Sequence, residues 1–309
     1  MDSKNIDIFY DYIDEASLLI YQDARISYLA SLVRAIDGLV GNLNDNMLSM
    51  ETIDKLDKIY DTLAKVNFLN EEVRIAFELL VIKGLKDSSI YPLDIITPDA
   101  IGYIFSNIIN RYAKDDDEIL DIGLGTGNLL YTISNYSKMK LNLIGIEKEE
   151  LLCEIARVSA EAQAIDVNIY CNDALDGFGH KVDLIIGDIV NDDKEGYLPY
   201  KLLNTYINNL EEDGIFAILV SNDFFAQKEL NYFRTNFIGS LLGLIVLPDT
   251  MFKSEDKKKS ILIGSKKKID DDLLIVNFPS LKDGAKVKET IEIINEWIEK
   301  LKGIVKWKK

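Results

Sequence analysis

The chain has 309 residues, 48% of them hydrophobic and 28% charged, with 15 Tyr and 12 Phe. This composition fits a globular protein of about two domains and argues against disorder. Its 35 basic and 52 acidic residues give a net charge of −17, spread unevenly: 9 basic against 16 acidic groups over residues 1–90, 11 against 26 over 91–252, and 15 against 10 over 253–309. The acidic middle repels polyanions. Tight unaided binding to duplex DNA is therefore disfavoured, because phosphate neutralisation supplies most of that affinity. No apolar run approaches ~18 residues, so no membrane span is expected. Met1-Asp2-Ser3-Lys4 leads into an acidic amphipathic stretch rather than a secretory signal, and the expected compartment is the cytoplasm.

Residues 1–90 read as helix throughout and are expected to form a helical N-terminal domain. Apolar positions recur at three- and four-residue spacing through Leu18, Leu19 and Tyr21 and again from Ile26 to Ile36. A Gly- and Asn-rich break follows at 38–46. Ser49 then opens a helix carrying Ile53, Leu56, Ile59 and Leu63, and Asn70 is placed to cap a fourth. Such a helical layer is also a candidate dimer or partner-subunit surface. Asp87-Ser88-Ser89, Pro92 and Pro98 mark a connector.

From residue 91 to 309, short apolar runs alternate with helical stretches. The runs are 119–122, 143–146, 167–170, 182–186, 215–220, 241–247 and 260–263; helical patterns lie at 129–136, 149–161, 200–210 and 224–236. This alternation predicts an α/β domain with a doubly wound, mostly parallel, seven-stranded Rossmann-like sheet. The segment 273–276 reads as one more strand before a closing amphipathic helix over 287–301. Cys153 and Cys171 form no CxxC pair and, with the lone His180, cannot build a zinc site of the usual kind. Both cysteines are expected to be reduced and buried, and His180 to lie on a loop surface.

The strongest local signal is Glu118-Ile-Leu-Asp121-Ile-Gly123-Leu-Gly125-Thr-Gly127-Asn128, ending the first strand and opening the next helix. Glycines there allow a tight turn and close approach of a ligand to the backbone. The spacing is GxGxG rather than the dinucleotide GxGxxG, with Asn128 where the dinucleotide pattern has its third glycine. Asp121, two residues before the first glycine, suits a cofactor with a sulfonium and an α-amino group, namely S-adenosylmethionine. Three further acids follow successive strands. Glu147 is placed for the ribose hydroxyls. Asp173 is placed for the adenine amino group, with Ala174 and Leu175 against the ring. Asp188 follows the fourth strand. All converge on the crevice where open α/β sheets bind ligands.

These residues resemble the class I S-adenosylmethionine-dependent methyltransferases. The narrower resemblance is to the branch holding adenine-N6 DNA methylases and type I restriction–modification methylase subunits. It is carried by Ile96-Thr97-Pro98-Asp99-Ala100-Ile101, by the helical region ahead of the core, and by 217–225, 245–252 and 260–263. The resemblance implies that Thr97, Asp121, Gly123, Gly125, Gly127, Glu147 and Asp173 bind the cofactor and that Asp188 orients an acceptor amino group. The branch's motif after the fourth strand is Asn/Asp-Pro-Pro-aromatic, whose ring stacks on a flipped base. Here the residues are Asp188-Ile189-Val190-Asn191, without both prolines and the ring; Tyr197 or Tyr200 is a candidate replacement. With about 45 residues after the core and no separate recognition domain, the chain is similar to the YtxK-like methyltransferases. Two other readings stay open: a non-catalytic S-adenosylmethionine-binding or interaction protein, and a methyltransferase acting on a protein or small molecule. The lysines at 253, 257–259 and 266–268 are expected to protect the edge of a solvated hairpin. The lysines from 300 to 309 are expected to compensate a helix C-terminus.

Overall fold

The structure, a computed structural model, describes every residue except 44–45, 89–91, 93–94, 190–195, 253, 255–256, 270–272 and 307–309. Four helices come first: α1 (Ser3–Ala24), α2 (Tyr28–Leu39), α3 (Met50–Leu63) and α4 (Asn70–Ser88). Asp2, Ser27 and Ser49 cap the first three by accepting from Lys4, Ala30 and Thr52 backbone N–H groups, which satisfies donors that a helix start leaves open. Their apolar faces share one core, built from Phe9, Ile13, Leu32, Ile36, Leu56, Phe77 and Leu80. That core does not stop at α4. It continues into Leu152, Ile155 and Val158 of α7 (Glu150–Ala162), so the helical region is packed onto the sheet domain. The expected boundary near residue 90 falls among residues 89–91, outside those described.

A helix absent from the sequence reading, α5 (Asp99–Tyr112), precedes the sheet. Among the described residues eight strands follow: β1 (Glu118–Asp121), β2 (Asn142–Glu147), β3 (Val167–Cys171), β4 (Val182–Asp188), β5 (Leu210–Ser221), β6 (Ser240–Val246), β7 (Lys259–Ser265) and β8 (Leu274–Asn277). Their order is β3-β2-β1-β4-β5-β7-β6-β8. The first five are parallel, β7 runs antiparallel between β5 and β6, and β8 pairs parallel with β6. The seven expected strands are present, and the further strand expected at 273–276 is β8, which joins the same sheet at its edge and makes it eight-stranded rather than seven-stranded. Alternating residues of β5 separate the two cores. Ile215, Ala217 and Leu219 face α5, α6 (Asn128–Tyr136) and α10 (Gly284–Lys306); Phe216, Ile218 and Val220 face α8 (Leu198–Tyr206) and α9 (Leu230–Asn236). Among the described residues, no helix is long and apolar enough to cross a membrane.

Two expectations are corrected by this topology. Because β7 lies inside the sheet, its flanking lysines are not edge guards. Lys258 pairs with Asp249 at 2.8 Å and Lys266 with Glu212 at 3.1 Å, while the Lys267 ammonium donates to the Val305 carbonyl of α10 at 2.7 Å. Lys253 lies outside the described residues, as do Trp307, Lys308 and Lys309. The cysteines are not reduced: a disulfide joins Cys153 to Cys171 across a Cα–Cα distance of 6.1 Å, and Cys171 is exposed. Parallel pairing of β2 with β3 explains the approach. It brings the end of β3 beside the end of β2, where α7 takes its first turn.

Candidate cofactor and acceptor site

A cavity of about 540 Å³ opens at the C-terminal ends of β1 to β4. Gly123, Gly125, Glu147, Asp173, Ala174 and Asp188 line it, with Leu175 and Ile189. Its size suits a ligand with several functional groups. Gly125 and Gly127 hold φ values of +55° and +81°, and a Cβ on Gly127 would lie 2.2 Å from the Tyr131 ring. The loop therefore needs glycine at that position for both conformation and space. Glu147 ties the loop down: one oxygen accepts from the Gly125 N–H and the other from Lys148 and Glu149 N–H, all at 2.9 Å. Asp173 caps the short turn Ala174–Asp176 through the Leu175 N–H at 2.8 Å. Glu147 Oε1 already accepts two bonds, whereas Glu147 Oε2 and the Asp173 carboxylate keep lone pairs for a ligand hydroxyl or amine.

Asp121 stands behind the cavity floor, 1% exposed. Its Oδ1 accepts from the Gly123 N–H at 3.0 Å, whereas no donor among the described residues reaches its buried Oδ2. Burial pushes its pKa up to about 7 against the Gly123 hydrogen bond, and the charges of Asp188 and Glu147 add to the rise. Asp188, at the end of β4, is held on both sides. The Thr97 hydroxyl donates to its Oδ2 at 2.9 Å, and the Lys259 ammonium bonds its Oδ1. Thr97 is itself fixed, because the Asn128 amide donates to its carbonyl at 2.8 Å.

A family profile described as a methyltransferase domain matches residues 113–270. The chain belongs to the methyltransferase family. A second profile, the YtxK N-terminal helical domain, matches residues 7–85. The chain is 28% identical to the uncharacterized protein YtxK of Bacillus subtilis, over 98% of this chain and 100% of that protein. Among solved structures, it is similar to a Listeria monocytogenes protein provisionally assigned to the class I S-adenosylmethionine-dependent methyltransferases. That match has a TM-score of 0.82 and 25% identity, and covers 96% of this chain and 100% of the other. The methyltransferase subunit of a type I restriction–modification system from Streptococcus thermophilus shares the fold, with a TM-score of 0.62 and 14% identity over 96% of this chain and 90% of that one.

The methyltransferase cofactor is S-adenosylmethionine, and the residues present fit it. A buried carboxylate oxygen without a donor is a match for a ligand cation, and the three acids are spaced along the strand ends that line the cavity. Two expectations about the acceptor side change, and a third lies outside the described residues. Tyr197 and Tyr200 do not offer a ring to the cavity. Both are buried, Tyr197 bonding Ser221 Oγ at 2.7 Å and Tyr200 stacking on Phe233 at 4.3 Å. Val190 and Asn191 lie outside the described residues. Lys259, expected on a solvated edge, sits on Asp188 with its side chain 17% exposed. His180 is exposed, as expected, beside Glu118 and the Phe178 ring. The sequence reading also missed Asn128 as the residue whose amide holds the Thr97 carbonyl. The one local signal was Asn128 itself, where the dinucleotide pattern would carry glycine.

Proposed function

We propose that this methyltransferase transfers the methyl group of S-adenosylmethionine to an amino nitrogen, with adenine-N6-like chemistry as the preferred acceptor class. The observation that carries the reading is Asp188: a carboxylate at the cavity wall, oriented by Thr97 and lying close enough to Asp121 to raise its pKa. Such a carboxylate accepts a hydrogen bond from an acceptor N–H and aims the nitrogen lone pair. Catalysis then rests on positioning and on fixed electrostatics. Thr97, Asp121 and the glycine loop of Gly123, Gly125 and Gly127 take the methionine end of the cofactor, Glu147 its ribose, and Asp173 with Ala174 its adenine.

A second reading has its own support. The Lys259 ammonium already occupies Asp188 Oδ1, where an acceptor amine would bind, and this favours a chain that binds the cofactor without turning over. Calorimetric titration with S-adenosylmethionine, S-adenosylhomocysteine and NAD tests the shared premise; the two adenosyl ligands are expected to bind and NAD is not. Asp188→Ala then separates the readings. With labelled cofactor and adenine-containing single- and double-stranded oligonucleotides, wild type is expected to transfer label. The variant is expected to lose transfer while keeping cofactor affinity. Cofactor binding with no transfer to nucleic acid, peptide or small amines would favour the second reading.

A further inference from the structure

The most buried cation of the helical region is Arg74 on α4, 1% exposed. A lone bundle would have no use for it there, because burying a guanidinium is costly unless every donor is paired. Its partners explain the position. Glu71 takes a two-pronged bond at 2.7 and 2.8 Å, and Glu78 lies at 3.0 Å. The remaining two partners belong to the sheet domain: Asp99, at the start of α5, lies at 2.9 Å, and Asn128, at the start of α6, accepts through its Oδ1. Burial opposes the guanidinium charge, but the bonds to Glu71 and the charges of Asp99 and Glu71 outweigh it and hold the proton more tightly than usual. Burial and the charge of Asp99 push the Glu78 carboxyl up to about 7 against Arg74, which marks how much acid this one cation balances.

Asn128 passes the constraint on. With its Oδ1 held by Arg74, its amide nitrogen must face the Thr97 carbonyl, to which it donates at 2.8 Å. Thr97 in turn donates its hydroxyl to Asp188. Arg74, Asn128, Thr97 and Asp188 thus form one hydrogen-bonded path from the helical region to the acceptor-orienting carboxylate. Among the described residues, no link of that path lies on β2 or β3, which carry the adenosine end of the cleft. An Arg fork is suited to this role because its planar geometry fixes several acceptors at once.

We infer that Arg74 is a positioning residue of the methyltransferase site, acting through Asn128 on Thr97 and Asp188, so that the helical region forms part of the catalytic apparatus. The inference rests on the cofactor placement proposed above. It explains why the position after Gly127 is Asn: glycine there would leave the Arg74 fork and the Thr97 carbonyl without a shared partner.

The test compares ligands that share adenosine but differ at the methionine end. Asn128→Ala and Arg74→Lys are titrated calorimetrically, as folded samples checked by circular dichroism and melting, with S-adenosylmethionine, S-adenosylhomocysteine and methylthioadenosine. The expected result is a loss of about tenfold for the two amino-acid-bearing ligands, the worth of about one hydrogen bond, with methylthioadenosine within about twofold of wild type. Arg74→Lys keeps the charge but loses the fork, and is expected to follow Asn128→Ala. If burial of its ammonium prevents folding, Asn128→Ala carries the comparison alone. A purely structural tie would lower the melting temperature and either spare all three affinities or reduce them equally, and either pattern overturns the inference. Failure of wild type to bind any of the three would instead refute the cofactor placement.

Discussion

The two ends of the cleft are built on opposite principles. At the end proposed for the adenosine, Glu147 is partly exposed and Asp173 exposed, and both accept from backbone N–H groups: residues 148, 149 and 175 next to them and residue 125 of the glycine loop. At the end proposed for the methionine, Thr97, Asp121 and Asn128 are 5%, 1% and 7% exposed, and distant parts of the chain hold the group together. Water can replace a lost partner at the first end but not at the second. The buried end also holds Asp121 Oδ2 without a donor, a cost in stability that a ligand cation would offset. Structural free energy is thus spent where the proposed reacting groups must be held still, and the end proposed for the adenosine is lined by groups that solvent already satisfies.

The largest way to break the contrast is to damage the loop both ends share. Gly127→Ala forces a Cβ into the Tyr131 ring at a positive φ, and is expected to cost about 3 kcal/mol in chemical denaturation and to abolish cofactor binding at both ends. Asp121→Asn acts on the buried end alone. It is expected to weaken S-adenosylmethionine about a hundredfold above pH 7, the worth of one buried charge-assisted bond. Its sign with pH follows from a carboxyl raised from 3.8 to about 7. The folded state holds that proton longer than the unfolded chain, so this stabilisation is full below about pH 4 and is lost as pH rises through about 7. Cofactor binding runs the other way, since the cation needs the carboxylate. Wild-type affinity is expected to rise between pH 6 and 8 with proton release, and Asp121→Asn to remove this component of the dependence; an unchanged profile in the variant would contradict the assignment.

Lys259→Met tests the pair on the acceptor side. Asp188, its side chain 8% exposed, is then left with Thr97 as its side-chain partner among the described residues, and stability is expected to fall by about 2 kcal/mol. Adding Asp188→Asn is expected to recover most of the loss, and a double-mutant cycle by urea denaturation reads the coupling.

The same contrast sets what was legible in the sequence. Asp121, Gly123, Gly125 and Gly127 could be read because seven consecutive residues make the turn, and backbone conformation is a local property. Glu147, Asp173 and Asp188 were legible because a parallel sheet brings the residues after its strands to one edge. The supports were not. Arg74 lies 54 residues from Asn128, and Lys259 lies 71 residues from Asp188. Nothing in a lysine-rich stretch distinguishes the lysine that turns inward. The strand it opens looked like an edge because placing β7 between β5 and β6 requires the antiparallel return, which apolar spacing does not encode. Helix α5 went unread although Ile101, Ile104, Phe105 and Ile108 carry its spacing; the Thr-Pro segment ahead of it read as a connector. Tyr197 and Tyr200 could be placed in the segment after β4 but not oriented: they stand at the start of α8, and their inward turn depends on Phe224 and Phe233.

The smallest predicted effect lies at the open end. Glu147→Gln keeps the side-chain length and one acceptor oxygen, but turns an amide donor toward one of the backbone N–H groups that Glu147 now satisfies. Because the side chain is partly exposed, water can take up the group left over, and the ribose keeps a neutral hydrogen bond in place of a charge-assisted one. A loss of about fivefold, roughly 1 kcal/mol, is expected. It should be equal for S-adenosylmethionine and methylthioadenosine, because both carry the ribose. That equality distinguishes this end from the other, where Asn128→Ala is expected to separate the same two ligands. If Glu147→Gln separated them too, the glycine loop would be transmitting strain between the ends through Gly125, and they would have to be treated as one coupled site.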